Sequence, residues 1–198
     1  MNKQVDFFFD VGSPASYLAW TQIGAMAREA GATVVYKPML LGGVFQATGN
    51  ASPATVPAKG AYTFTDFDRF AKRYGVPIQR NPHFPINTLT LMRVITGMQM
   101  RHAERFEAFT QAVFEAIWVK ALNLNDPAVA AGALQAAGFD AAEVLALAAD
   151  PDVKARLKTV TDEAIARGVF GAPTMFVGEQ MFWGQDRLDW VKEALLTV

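Results

Sequence analysis

Few folds remain open to a chain that begins as this one does. Residues Val5–Phe9 are β-branched or aromatic apart from Asp6, and they pass directly into Asp10-Val11-Gly12-Ser13-Pro14. The run has the length and residue types of a buried strand. Ser13 suits a helix N-cap, and Pro14 suits the first helical turn, where a backbone N–H is not needed. The pattern predicts a helix from Pro14 to about Glu29, stopped by Gly31, and a second short strand from Thr33 to Tyr36. A β-α-β unit opens the chain.

Leu40 to Lys59 is rich in Gly, Pro, Ser and Asn and has no clean period, so it is expected to be a long irregular loop. Helical spacing follows in Phe67, Phe70, Ala71 and Tyr74, within a helix from Asp66 to Tyr74 that stops at Gly75. Phe106, Phe109, Val113, Ala116 and Ile117 mark what should be the longest helix. Asp126-Pro127, Asp140 with Glu143, and Asp150-Pro151 read as further helix starts. Thr174–Val177 and Met181–Trp183 form a hairpin across Gly178, and a last helix carries Leu188, Val191 and Leu195 on one face. This order gives an α/β thioredoxin arrangement interrupted after its second strand. The expected division is one domain, with a core of residues 1–60 and 165–198 and a helical insertion over 61–164.

Composition narrows the chemistry. Eighteen basic and nineteen acidic side chains leave a formal charge of −1, which gives no reason to expect nucleic acid or anionic lipid as a partner. There is no cysteine, so disulfides, thiolate metal sites and cysteine nucleophiles are excluded. Any thiol chemistry must use a thiol from outside. The opening apolar run is too short for a signal peptide, and no later stretch has the length of a membrane span, so a cytoplasmic, membrane-free protein is expected. The only serines are Ser13, Ser16 and Ser52, and none lies in a Gly-x-Ser-x-Gly elbow. His83 and His102 make no metal-ligand spacing, and Asp66 and Asp68 read as first-turn helix charges.

Three places could carry chemistry. A Ser-Pro at a strand-to-helix turn is ordinarily a cap. The amides and dipole of a helix N-terminus, however, also stabilise a thiolate, to which the Ser13 hydroxyl could donate. Gly171-Ala172-Pro173-Thr174 leads into a strand. If the Ala172–Pro173 bond is cis, the N–H and C=O of Ala172 could pair with an extended peptide, although a strand-opening proline often only marks an edge. In Trp183-Gly184-Gln185-Asp186-Arg187, Asp186 either serves the last helix as a first-turn charge or pairs with the α-ammonium of a small ligand, Gln185 taking its carboxylate.

These motifs join others: Phe8-Phe9-Asp10-Val11-Gly12-Ser13-Pro14-Ala15-Ser16-Tyr17, Gly49-Asn50 with Pro57-Ala58-Lys59-Gly60, Phe84-Pro85-Ile86-Asn87-Thr88-Leu89, and Gly168-Val169-Phe170 before Gly171. In that order across nearly the whole chain, they resemble the 2-hydroxychromene-2-carboxylate isomerases, the bacterial branch of the kappa-class glutathione transferase group among DsbA-like thioredoxin-fold proteins. The resemblance implies glutathione as cofactor, with Ser13 touching its sulfur where relatives have a redox cysteine. It implies that the backbone of Ala172 holds the cysteinyl part beside a cis Pro173, and that Gln185 and Asp186 hold the γ-glutamyl end next to Trp183 and Gly184. Asn50 and Lys59 resemble loop residues that reach the ligand, and Asn87 resembles the asparagine facing the substrate. Ala172 departs from the group, in which this position is commonly bulkier.

The implied reaction adds the glutathione thiolate to the ring-opened chromene carboxylate, turning a double bond into a rotatable single bond. Rotation and expulsion then give trans-o-hydroxybenzylidenepyruvate. Lys59 and Asn87 are the expected donors to the substrate carboxylate and the developing enolate oxygen. The alternatives are a kappa-type transferase or peroxidase acting on another electrophile, and a non-catalytic module that binds peptides or glutathione. A homodimer is implied by the resemblance alone.

Overall fold

The computed structural model describes residues 3–197. In chain order it runs β1 (Gln4–Phe9), α1 (Pro14–Glu29), β2 (Thr33–Pro38), α2 (Leu41–Thr48), α3 (Pro57–Tyr74), α4 (Leu89–Arg101) and α5 (Phe106–Trp118). It continues with α6 (Pro127–Ala136), α7 (Ala141–Ala146), α8 (Pro151–Ala166), β3 (Thr174–Val177), β4 (Gln180–Trp183) and α9 (Leu188–Thr197). The sheet order is β2-β1-β3-β4; β1 is parallel to β2 and antiparallel to β3, which turns back as β4. That is a DsbA-like thioredoxin fold with a helical layer between its two halves.

The pleat of β1 divides the core, because alternate side chains point to opposite faces. Val5, Phe7 and Phe9 enter the larger cluster with Leu18 and Ile23 of α1 and Val191 and Leu195 of α9. Phe8 points the other way, onto Val44 of α2, Val160 and Ala164 of α8 and Phe176 of β3. Each of these phenylalanines is fully buried, which contributes roughly 2–3 kcal/mol of transfer free energy.

The expected helix starts are present. Ser13 is extended (φ −97°, ψ 118°), and its hydroxyl accepts the Ser16 N–H. Asp126, Asp140 and Asp150 cap α6, α7 and α8 through their carboxylates.

Four expectations are corrected. Leu40–Lys59 is not an irregular loop, for α2 occupies Leu41–Thr48 and α3 already begins at Pro57. Burial of Val44 between β1 and α8 outweighs the poor helix propensity of Gly42 and Gly43. Because α3 starts so early, Asp66 and Asp68 lie inside it rather than in its first turn, and Asp66 sits 3.7 Å from Arg69. At 18 residues, α3 is longer than the 13-residue α5. β2 runs on to Pro38, two residues past Tyr36. α8 runs unbroken from Pro151 to Ala166 and packs through Val160 and Ala164 on Phe8 and Phe176 of the sheet. No helix among the described residues is long and apolar enough to cross a membrane.

Candidate functional site

The turn between β1 and α1 is held from several sides. Asp10, 1% exposed, ends the strand. One carboxylate oxygen accepts the Gly12 N–H at 2.9 Å; the other accepts the Leu41 N–H at 2.9 Å and the Thr88 hydroxyl at 3.0 Å. Asp10 thereby ties together the turn before α1, the start of α2 and the residue before α4. Burial raises its pKa above 3.8, opposed by these hydrogen bonds. The Val11 carbonyl accepts the Trp118 indole N–H at 2.8 Å, which fastens α5 to the same turn.

Ser13 stands where this turn meets the start of β3. Its hydroxyl accepts the Ser16 N–H at 3.1 Å and donates to the Ala172 carbonyl at 2.9 Å. The Ala172–Pro173 bond is cis, as is Phe84–Pro85. The hydroxyl has one proton to give, so holding an anion requires it to swing from the Ala172 carbonyl while the Ser16 N–H keeps the oxygen in place. Pro14 has no N–H and that of Ser16 is engaged, which leaves Ala15 as the first-turn amide open to a ligand.

These groups face a cavity of about 700 Å³, within the usual range for small-molecule sites. Ser13, Ala172, Trp183, Gly184, Gln185, Asp186, Asn50 and Asn87 all line it, whereas Pro173 is buried behind it. Gly184 adopts φ 103°, a backbone conformation that L side chains rarely adopt, which favours glycine at this turn. Its N–H donates to the Pro173 carbonyl at 3.0 Å, joining the two ligand-facing turns.

Gln185 is 5% exposed, and its carboxamide has no hydrogen bond to any described residue, although it faces the cavity. Its backbone carbonyl accepts the Tyr74 hydroxyl at 2.8 Å. Burial first, then the charge of Asp189, pushes the Tyr74 hydroxyl up to about 12, so it stays a neutral donor. Asp186 is exposed and pairs with Arg187.

The other expected ligand residues differ in what they can offer. Asn50 spends both ends of its amide on the protein, donating to the Phe170 carbonyl at 2.7 Å and accepting the Ala51 N–H at 2.8 Å. It ties the cavity-lining segment after α2 to the residue before Gly171. Asn87 accepts the Leu89 N–H at 3.1 Å through its carbonyl oxygen, which leaves its NH₂ without a partner among the described residues. Lys59 lies in the first turn of α3, exposed and outside the cavity lining; the cation in the lining is Arg187.

Two components went unseen in the sequence. Phe45, Phe64, Phe67 and Phe84 form an aromatic wall. Phe45 lay in the supposed loop and Phe64 before the supposed start of its helix, so neither had a helical face to be assigned to. From the sequence alone Asp10 reads only as the end of a strand, and its polarity at the close of an apolar run is the available signal. Together the surfaces offer an apolar slot for a planar ring, a polar edge for a peptide-like ligand, and a hydroxyl at a helix N-terminus between them.

Comparison with known proteins agrees with this description. The family model for the DSBA-like thioredoxin domain matches residues 4–196. A 2-hydroxychromene-2-carboxylate isomerase from Sphingobium xenophagum is 33% identical over 198 residues, covering 99% of this chain and 100% of the relative. Glutathione S-transferase kappa 1 of Homo sapiens is 27% identical, covering 98% of this chain and 91% of its own. A solved 2-hydroxychromene-2-carboxylate isomerase superposes with a TM-score of 0.83 at 29% identity, covering 97% and 94% of the two chains.

Proposed function

We propose a glutathione-dependent isomerase for this chain, which belongs to the DSBA-like thioredoxin-domain family and to its group of 2-hydroxychromene-2-carboxylate isomerases and kappa glutathione transferases. Its reaction interconverts 2-hydroxychromene-2-carboxylate and trans-o-hydroxybenzylidenepyruvate, in the breakdown of naphthalene-type aromatics. The observation that carries this reading is the Ser13 hydroxyl at the start of α1, bonded to the Ala172 carbonyl beside the cis Pro173, on the same cavity that Gln185 lines with a carboxamide free of hydrogen bonds to any described residue. The NH₂ of that carboxamide is free to donate, and the α-carboxylate of a γ-glutamyl group is a matching acceptor.

Glutathione, when bound, supplies a sulfur that adds reversibly to the substrate's conjugated double bond, so that the former double bond can rotate. Ser13 holds that sulfur as its thiolate, by turning its proton from the Ala172 carbonyl, and the Ala15 amide and the α1 dipole favour the same charge. Ala172 pairs with the peptide edge of the ligand, and Asp186 with its ammonium. The phenylalanine wall binds the substrate ring and excludes water. Asn87 donates to the enolate oxygen. The carboxylate is received by Lys59, the donor expected from its charge, or by Arg187, the cation of the lining among the described residues.

Turnover of 2-hydroxychromene-2-carboxylate should require glutathione and fall at least tenfold in Ser13→Ala. Glutathione should bind in a calorimetric titration; no heat at millimolar concentration would remove the cofactor and the mechanism with it. Lys59→Met and Arg187→Met, compared for KM, distinguish the two carboxylate donors. The kappa relatives favour a second reading, transfer or peroxidase chemistry on other electrophiles, which chlorodinitrobenzene and cumene hydroperoxide assays would detect. Sedimentation tests the implied homodimer.

A further inference from the structure

A second cavity, of about 440 Å³, lies where α2, α4 and α8 meet. Its charged lining consists of Arg93 from α4 and Lys154, Lys158 and Asp162 from α8, three cations against one carboxylate. Asp162 is already committed to Lys158 at 2.5 Å. Lys154 and Arg93 have no ion pair or side-chain hydrogen bond with any described residue, and Arg93 is half-buried. A guanidinium carries five N–H donors that lose water on burial. Asp162 offsets Lys158, which leaves the exposed Lys154 and the half-buried Arg93 as the lining cations without a partner among the described residues.

Apart from the exposed Gln46 of α2 and the buried Thr161, the remainder of the cavity is lined by apolar residues or glycine. Leu40, Leu89, Leu157 and Ile165 line it, and the only buried hydroxyl there, that of Thr161, accepts the Leu40 N–H at 3.0 Å and donates to the Leu157 carbonyl at 2.8 Å. Unpaired charge is therefore concentrated in Arg93 and Lys154, over an apolar floor of leucine and isoleucine, with the Gln46 carboxamide as a neutral polar neighbour. Inorganic ions would leave that floor uncovered, and a neutral apolar ligand would leave Arg93 unpaired.

We infer that this groove is a second binding site, for a small organic carboxylate with an apolar body, its acid group held between Arg93 and Lys154. Leu40 and Leu89 also line the larger cavity, so the two sites share a wall. The inference does not depend on the proposed isomerase activity.

The test is an amide-resolved NMR titration of the full chain with 1-naphthoate and, separately, with inorganic phosphate. Naphthoate should produce saturable shifts at Gly43, Ala47 and Thr161, with affinity at least tenfold weaker in Arg93→Met and largely restored in Arg93→Lys. Shifts at Gly12 and Gly184 report entry into the larger cavity and should be unaltered in Arg93→Met, which also shows that the variant is folded. Absence of saturable shifts around the groove, or shifts that survive Arg93→Met unchanged, would overturn the site. Phosphate binding as tightly as naphthoate would overturn the apolar component.

Discussion

Ser16 is fully buried, and its hydroxyl is the one buried side-chain polar atom without a partner among the described residues. An unsatisfied hydroxyl costs about 1–3 kcal/mol, so Ser16→Ala should leave stability unchanged or raise it by about 1 kcal/mol in urea denaturation. A clear loss would mean that the hydroxyl has a partner. Asp10 gives a pH-dependent expectation. Burial raises its folded-state pKa above the ordinary 3.8, so its contribution to stability is fully present below 3.8 and is lost as pH rises through the shifted value. The stability of the parent relative to Asp10→Asn should therefore shrink with rising pH, and urea midpoints from about pH 4 to 7 would show the opposite slope if burial did not dominate. At this scale the sequence was partly readable. The capping role of Ser13 is local and could be inferred from Pro14, whereas its bond to Ala172 spans 159 positions and becomes visible only in three dimensions.

Gly97, in the middle of α4, sets helix propensity against packing. Propensity alone favours Gly97→Ala by about 1 kcal/mol. A Cβ at this position, however, would meet the Cβ of Leu147 at 2.7 Å, too close to the Leu147 backbone for a rotamer change to relieve. The substitution should destabilise by about 1–3 kcal/mol; a rise in the thermal midpoint would show that α4 and the 147–149 turn have room to separate. The same competition explains α2. Its glycines argue against a helix locally, and the burial of Val44 that stabilises it involves β1 and α8, elements distant in sequence. The starts of α1, α6, α7 and α8, by contrast, are legible because a capping Ser or Asp lies within one turn of each, whereas α3 opens on Pro57 with no capping side chain at Val56 and gives no such signal.

The cavity is a property of the whole molecule, drawing on residues from Asp10 to Arg187. No local pattern contains it, which is why the aromatic wall was missed while the turns bearing Ser13, Ala172 and Gln185 were found through their motifs. A ligand confined to the folded state stabilises all of it: glutathione at about 100 times its Kd should add about 2.7 kcal/mol. For a domain of this size that is a rise of roughly 5–10 °C in thermal midpoint. The most direct test is an ultraviolet titration of the thiol of bound glutathione in the parent and in Ser13→Ala. The parent should show a pKa below the roughly 8.5 of a free thiol, with Ser13→Ala returning it towards that value; the same titration curve in both proteins would contradict a thiolate steadied by Ser13.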